Sequence, residues 1–143
     1  MTENDRLHQT VKEFYDASTA CSLEIADQLG MSKLQVNQIH YLKLIDGNDN
    51  LTFSRMAKIL GITKPSVTEI VNKLIKLDCV NKLRSPDDGR IFFMELTEKG
   101  KHIARSRILS ENKMIDLIRK KLDPSERETF IHLLEKVAGS SPH

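Results

Sequence analysis

The chain has 143 residues, 39% of them apolar and 29% charged, with a formal net charge of +2, a balance that fits one folded domain, or a small module with an added association element, and excludes wholesale disorder. No apolar run approaches the roughly 20 residues that cross a bilayer, and the polar start MTENDRLHQT has no apolar stretch behind a basic one, so the expected location is cytoplasmic, with no membrane partner. Charge is unevenly spread: residues 1–50 carry 4 basic and 8 acidic side chains, residues 51–96 carry 8 and 5, and residues 97–143 carry 10 and 7. A basic middle segment after an acidic start suits a polyanionic partner.

In chain order, Leu7, Val11, Phe14, Ser18, Cys21 and Ile25 recur at spacings of four and three. That spacing predicts one stripe of a long helix over 5–29, ended by Gly30. Ser32 is the cap expected for a second helix, whose inward positions include Val36, Ile39, Leu42 and Leu44. DGNDN, residues 46–50, is a turn cluster. Thr52 or Ser54 caps a short third helix that ends at Gly61. Thr63 is a natural cap for a fourth, because Pro65 falls in its first turn, where a missing N–H costs nothing. Asp78 then stands where a helix C-terminus wants a left-handed residue.

The period changes next. CVNKLRS alternates, PDDGR is a turn and IFFMELT is rich in β-favouring residues, which predicts a hairpin. Thr97 caps a long helix expected to run to about Leu122, and Asp123 caps a last one from Pro124 to about Ala138. The tail GSSPH is expected to be loose. These elements divide into N-terminal helices over 1–50 for dimerisation and scaffold, a central module over 51–96, and C-terminal dimerisation helices over 97–143.

Two helices joined by a glycine-containing turn and followed by a hairpin make a winged helix-turn-helix, in which the second helix enters the DNA major groove. The fold class is therefore mainly α with a small β-hairpin wing, plus a helical dimerisation region formed by the N- and C-terminal helices. Val67, Val71, Leu74 and Leu77 share one side of the helix after Thr63. Pro65, Thr68, Glu69, Asn72 and Lys76 lie on the other, with Lys64 and Ser66 at its start. Asparagine can read adenine bidentately, hydroxyls meet phosphates or base edges, and lysine neutralises phosphate.

Three stretches, LGMSKLQV, LTFSRMAKILGITKPSVTEIVNKL and DGRIFFMELTEKG, taken in order, resemble the MarR family of transcriptional regulators over nearly the whole chain. The last holds that family's wing signature at Asp88, Arg90, Leu96, Thr97 and Gly100. The resemblance implies a homodimer with interleaved terminal helices that straddles a pseudo-palindromic operator in double-stranded DNA. It also implies Arg90 at the wing tip reaching the minor groove or its phosphates, with Asp88 holding the wing. The DNA-contact set is then Thr63, Lys64, Pro65, Ser66, Thr68, Glu69, Asn72, Lys73, Lys76, Arg84, Asp88 and Arg90. A repressor released by a small aromatic effector is the implied mode of action, with Phe14, His40 and Tyr41 as crevice candidates.

Three features depart from the family pattern. Glu69 puts an acid on the DNA side, where it either accepts from cytosine or pairs with Lys73. Asp78 replaces a glycine, and the wing has few basic residues beyond Lys82, Arg84 and Arg90. Apart from the resemblance, Ile108, Ile115, Ile118 and Leu122 form one apolar stripe, and Phe130, Leu133, Leu134 and Val137 another. That is more apolar surface than a small winged module covers, and a second copy would cover it.

No catalytic constellation is present, so no enzyme activity and no cofactor are expected. The histidines, His8, His40, His102, His132 and His143, lack the close spacing of a helical zinc site, so no metal is expected either. Cys21 and Cys79 fit packing better than redox sensing. The alternative function is a winged-helix protein–protein module without DNA binding. RNA binding ranks last for want of an aromatic stacking platform.

Overall fold

The computed structural model describes residues 1–139. Residues 140–143, most of the tail expected to be loose, lie outside the described residues. The elements are α1 (Glu3–Gln28), a short 3₁₀ turn (Met31–Lys33), α2 (Val36–Asp46), α3 (Phe53–Leu60), α4 (Lys64–Lys76), β1 (Val80–Arg84), β2 (Phe92–Leu96), α5 (Glu98–Ala104), α6 (Ser106–Lys121) and α7 (Pro124–Ala138). No helix among the described residues is long and apolar enough to cross a membrane. The chain divides into two compact units, one of Leu23–Arg107 and one of Met1–Ser22 with the stretch from Ile108 onward.

The first of these is the winged unit. Its core takes Leu42 and Ile45 from α2, Met56 and Ala57 from α3, Val67, Val71 and Leu74 from α4, Val80, Met94 and Leu96 from the strands, and Ile103 from α5. The winged unit is thus larger than residues 51–96, because α2 and α5 supply part of the same core. Each fully buried aliphatic side chain contributes about 1.5–3 kcal/mol relative to exposure, and Val67, Val71 and Leu74 are all fully buried. One side of α4 is anchored by these three residues.

Local chemistry sets the ends of these helices. The Thr52 hydroxyl accepts from the Arg55 N–H to start α3, and Thr63 accepts from the Ser66 N–H to start α4. At the end of α3, Gly61 is left-handed with φ 67°. This conformation lets the Ile62 N–H reach the Ala57 carbonyl and the Gly61 N–H reach that of Lys58. The end of α4 repeats the arrangement: Asp78, at φ 60°, takes the left-handed place, and the Cys79 N–H donates to the Leu74 carbonyl. Cys79 is fully buried, and burial pushes its thiol up from the usual range.

The strands pair antiparallel with Val80 opposite Leu96, Lys82 opposite Met94 and Arg84 opposite Phe92. Leu51 and Thr52 extend the sheet edge, since the Met94 N–H donates to the Leu51 carbonyl and Thr52 bridges Phe93. The base of the hairpin is tied to the end of α4. The Thr97 hydroxyl donates to the Asp78 carbonyl at 2.7 Å and accepts from the Gly100 N–H at 3.0 Å. The Thr97 N–H donates to the Cys79 carbonyl at 3.0 Å. A Cβ on Gly100 would run into that same carbonyl.

Three sequence expectations need correction. Ser32 does not cap α2; it sits inside the 3₁₀ turn, and Gln35 takes the cap position, its N–H donating to the Gln38 side chain at 2.8 Å. The turn after Gly30 uses up the intervening residues, leaving Leu34 extended. Val36 is exposed rather than inward, because nine positions before the buried Ile45 it falls on the opposite side of the helix. The long helix after Thr97 is two helices. At Arg105, φ −103° and ψ 18° leave the helical region, while its guanidinium grips Asp46 at 2.8–3.2 Å through two nitrogens. That grip holds the Asp46 carboxyl below its usual range.

The second unit contrasts with the first. Neither α6 nor α7 contains a buried residue, and in α1 only Ile25, outside this unit, is buried. Leu7, Val11, Ile108, Ile115, Leu133, Leu134 and Val137 are all exposed. Phe14 lies against Phe130 with ring centroids 6.5 Å apart, yet it too stays exposed.

The knot at the base of the hairpin makes two opposite predictions. Gly100→Ala should destabilise by about 1–3 kcal/mol, because its new methyl meets backbone rather than a side chain that can move. Asp78→Gly should stabilise by up to about 1 kcal/mol by relieving the left-handed conformation. Urea titrations of the full-length variants measure both, and a shift of the same sign in the two would contradict this reading of the junction.

Candidate nucleic-acid interface

The opposite side of α4 is bare. Thr63, Lys64, Pro65, Ser66, Thr68, Glu69, Asn72, Lys73 and Lys76 are all exposed, an arrangement that follows from the anchoring of Val67, Val71 and Leu74. Not all of these groups are free to bind. The Thr63 hydroxyl lies 2.9 Å from that of Ser66, and the Thr68 hydroxyl donates to the Lys64 carbonyl at 3.1 Å. Lys73 pairs with Glu69 at 3.6 Å with both ends in solvent, a bond worth about 0.3–0.5 kcal/mol. Of the two roles open to Glu69, this one occupies it here. Asn72 and Lys76 carry no such partner among the described residues.

The wing tip is built by side chains that bond their own turn. The Ser85 hydroxyl accepts from the N–H groups of Asp87 and Asp88 at 3.3 and 3.4 Å. The Ser85 N–H donates to the Ile91 carbonyl, and the Ile91 N–H donates to that of Asp88. Asp88 then accepts from the Arg90 N–H at 3.0 Å and from its guanidinium at 3.2 Å. The Arg90 N–H, and after it the guanidinium, hold the Asp88 carboxyl below its usual 3.8. Arg90 itself stays 91% exposed, oriented at its root and open to solvent at its tip. Arg84 is exposed on β1.

Between the first turn of α4 and the wing lies a cleft of about 230 Å³. Lys64 and Thr68 line it from α4, Lys82 and Phe92 from the strands, Arg90 and Ile91 from the tip, and Thr52, Phe53 and Ser54 from the start of α3. The Lys82 ammonium stands 4.3 Å from the Phe92 ring centroid and 5.4 Å from that of Phe53, and the Arg84 guanidinium stands 5.2 Å from Phe92. At an exposed site each such contact is worth about 0.5–1 kcal/mol. Sequence reasoning counted Lys82 among the wing's basic residues but left it out of the contact set, and it missed its two rings and Ser85. The alternation of β1 and the register opposite Phe92 are the signals that place Lys82 and Arg84 on one face with that ring.

The three crevice candidates come from both units. Phe14 belongs to the helical unit, whereas His40 is exposed and Tyr41 half-buried in the winged unit.

Residues 34–92, the stretch that holds α3, α4 and most of the wing, match the profile of the MarR family. Over that stretch the chain is similar to the MarR family. A regulator of Bacillus subtilis (strain 168), the uncharacterized HTH-type transcriptional regulator YhbI, is 28% identical over 98% of this chain and 91% of its own length. The transcriptional regulator AdcR of Streptococcus pyogenes is 36% identical over 50% of this chain and 48% of its own. Among solved structures, a MepR variant of S. aureus bound to an oligodeoxyribonucleotide superposes with a TM-score of 0.61 at 19% identity, covering 97% of this chain and 98% of that one. MepR has also been solved with ethidium bromide, at a TM-score of 0.59 and 20% identity, covering 97% and 96%. The chain shares the winged helix-turn-helix fold of these structures, and its relatives in sequence are named as transcriptional regulators.

The tip geometry carries a pH prediction. A carboxylate held below its unfolded value contributes order above that value and loses it as pH falls through the lower folded one. The Arg90 amide resonance should therefore titrate with a midpoint below 3.8, leaving the tip intact at neutral pH. Asp88→Asn should abolish that titration and speed amide exchange at Arg90 and Ile91 while leaving global melting in place. A midpoint at or above 3.8 would contradict the geometry.

Proposed function

We propose that this chain is a homodimeric repressor whose two winged units read a pseudo-palindromic operator and release it when a small aromatic effector binds. One observation carries the reading: α4 buries Val67, Val71 and Leu74 completely while leaving Lys64, Ser66, Thr68, Asn72 and Lys76 bare. A helix so anchored presents a fixed set of donors and acceptors to the major groove. In this reading Asn72 reads a base edge, and Lys64, Pro65, Ser66, Thr68, Lys73 and Lys76 line the groove and its phosphates. Arg90 reaches the neighbouring minor groove, with Asp88 orienting it and Arg84 behind it. Thr63 holds the helix start, whose free N–H groups favour phosphate.

The terminal helices support the dimer. An apolar helical surface with no buried side chain of its own is the surface a second copy covers, and two-fold association is the commonest solution. Operator binding then requires the two α4 helices to stand about 34–36 Å apart, one turn of DNA. An effector that favours another spacing lowers affinity by its preference for that state. The MepR complex with ethidium bromide supports an aromatic ligand for this fold, and Phe14, His40 and Tyr41 are the residues to test first.

Selection of bound duplexes from a random pool, followed by anisotropy titrations, tests the DNA assignment. Arg90→Glu should weaken binding to every sequence, whereas Asn72→Ala should change preference among them, by about 1–3 kcal/mol at one position of each half-site. Affinity should fall steeply with salt. A salt-independent affinity would instead favour the protein–protein module. For the dimer, sedimentation should give twice the chain mass for the wild type and shift Leu133→Asp towards the monomer, while isolated melting of the winged unit stays the same. A wild-type monomer at micromolar concentration would rule the dimer out.

A further inference from the structure

We propose that the cleft between the first turn of α4 and the wing is a seat for one phosphate group of the bound duplex, with Lys82 as its principal ligand and Phe92 as the residue that positions it. The inference rests on the DNA-binding reading above and adds a ligand, Lys82, that belongs neither to the α4 face nor to the wing tip.

The first observation is convergence. Lys64, Lys82 and Arg90 arrive from a helix, a strand and a turn to line one cleft, alongside the hydroxyls of Thr52 and Ser54, and no carboxylate lines it. The second is how its central cation is held. Arg90 already meets Asp88, and outside the cleft Lys73 meets Glu69, Lys101 meets Glu98 and Arg105 meets Asp46. Lys82 meets the faces of Phe92 and Phe53 instead. Among the described residues no ion pair involves Lys64, Lys82 or Arg84. A ring face orients an ammonium without neutralising it and leaves its N–H groups free to donate.

The third observation is crowding. Lys82 and Arg84 share the Phe92 ring, and two like charges on one ring repel unless an anion joins them. A phosphodiester supplies one negative charge and oxygens that only accept, matching ammonium, guanidinium and hydroxyl donors. Free phosphate has the same chemistry. The duplex is favoured because Lys64 and Thr68 belong at once to the cleft and to the exposed side of α4, so a backbone passing α4 passes the cleft.

The test uses the full-length protein and its selected operator. Lys82→Met keeps the apolar stem and removes the charge. The slope of log affinity against log salt should become shallower by about 0.9 for each subunit engaged, with the order of preferred sequences unchanged. On duplexes carrying one neutral methylphosphonate at a time, one position per half-site should cost the wild type affinity and cost Lys82→Met nothing further. Phe92→Leu should weaken the wild type several-fold and have no added effect in the Lys82→Met background, a coupling that a purely structural role would not produce. A steep wild-type slope left unchanged by Lys82→Met overturns the seat and leaves the DNA reading standing. A wild type that binds no duplex overturns both. Protection by inorganic phosphate that depends on Lys82, without any change in the DNA slope, overturns the duplex as the occupant.

Discussion

The winged unit depends on a junction where three chain segments meet through the backbone. The end of α4, the base of the hairpin and the start of α5 are tied by Thr97, whose hydroxyl bonds Asp78 on one side and Gly100 on the other. Close approach of Gly100 to the Cys79 carbonyl leaves no room for a side chain. Because Asp78 ends α4 and Thr97 ends the hairpin, this junction sets the angle between helix and wing. Every functional statement about the winged unit inherits that angle: which side of α4 faces outward, where Arg90 projects, and how wide the cleft between them is.

Electrostatics divide the same surface into two kinds of cation. Some are matched locally by acids, as Lys73 is by Glu69, so the acid on the α4 face is neutralised within its own helix. Others are placed without being neutralised. Aromatic rings support Lys82 and Arg84 in this way, while Arg90 pairs with Asp88 and keeps its side chain 91% exposed. A chain of near-neutral net charge can thereby present a concentrated positive field where nucleic acid approaches, because binding responds to local rather than total charge.

The second unit follows a different physical rule. Its helices are well formed, with Asp123 and Glu126 capping α7 reciprocally, yet they bury no side chain of their own. Capping and propensity stop and start such helices, but packing of an amphipathic face supplies most helical stability in proteins. Burial is thus missing in the unit built from both ends of the chain and complete at the core of the winged unit between them.

Much of this was legible in the residues. Thr63 with Pro65, Thr97, and Asp123 with Pro124 marked helix starts because a cap bond closes within three residues. The split of α4 into Val67, Val71 and Leu74 against Thr68, Asn72 and Lys76 followed from spacing alone, since a helix turns by a constant angle. The need for a left-handed residue at Asp78 and the PDDGR turn were equally local. Tertiary structure decided the rest. The break at Arg105 lies beside its grip on Asp46, a residue distant in sequence. Ser32 yielded its capping role to Gln35 once the 3₁₀ turn had used up the chain between them. Lys82 meets Phe53 and Phe92 only after β1 and β2 have paired and the start of α3 has joined their edge. Sequence by itself determined the elements and their faces, because those arise from bonds between near neighbours; the cleft, the junction and the helix break come from contacts between distant segments, which no local pattern records.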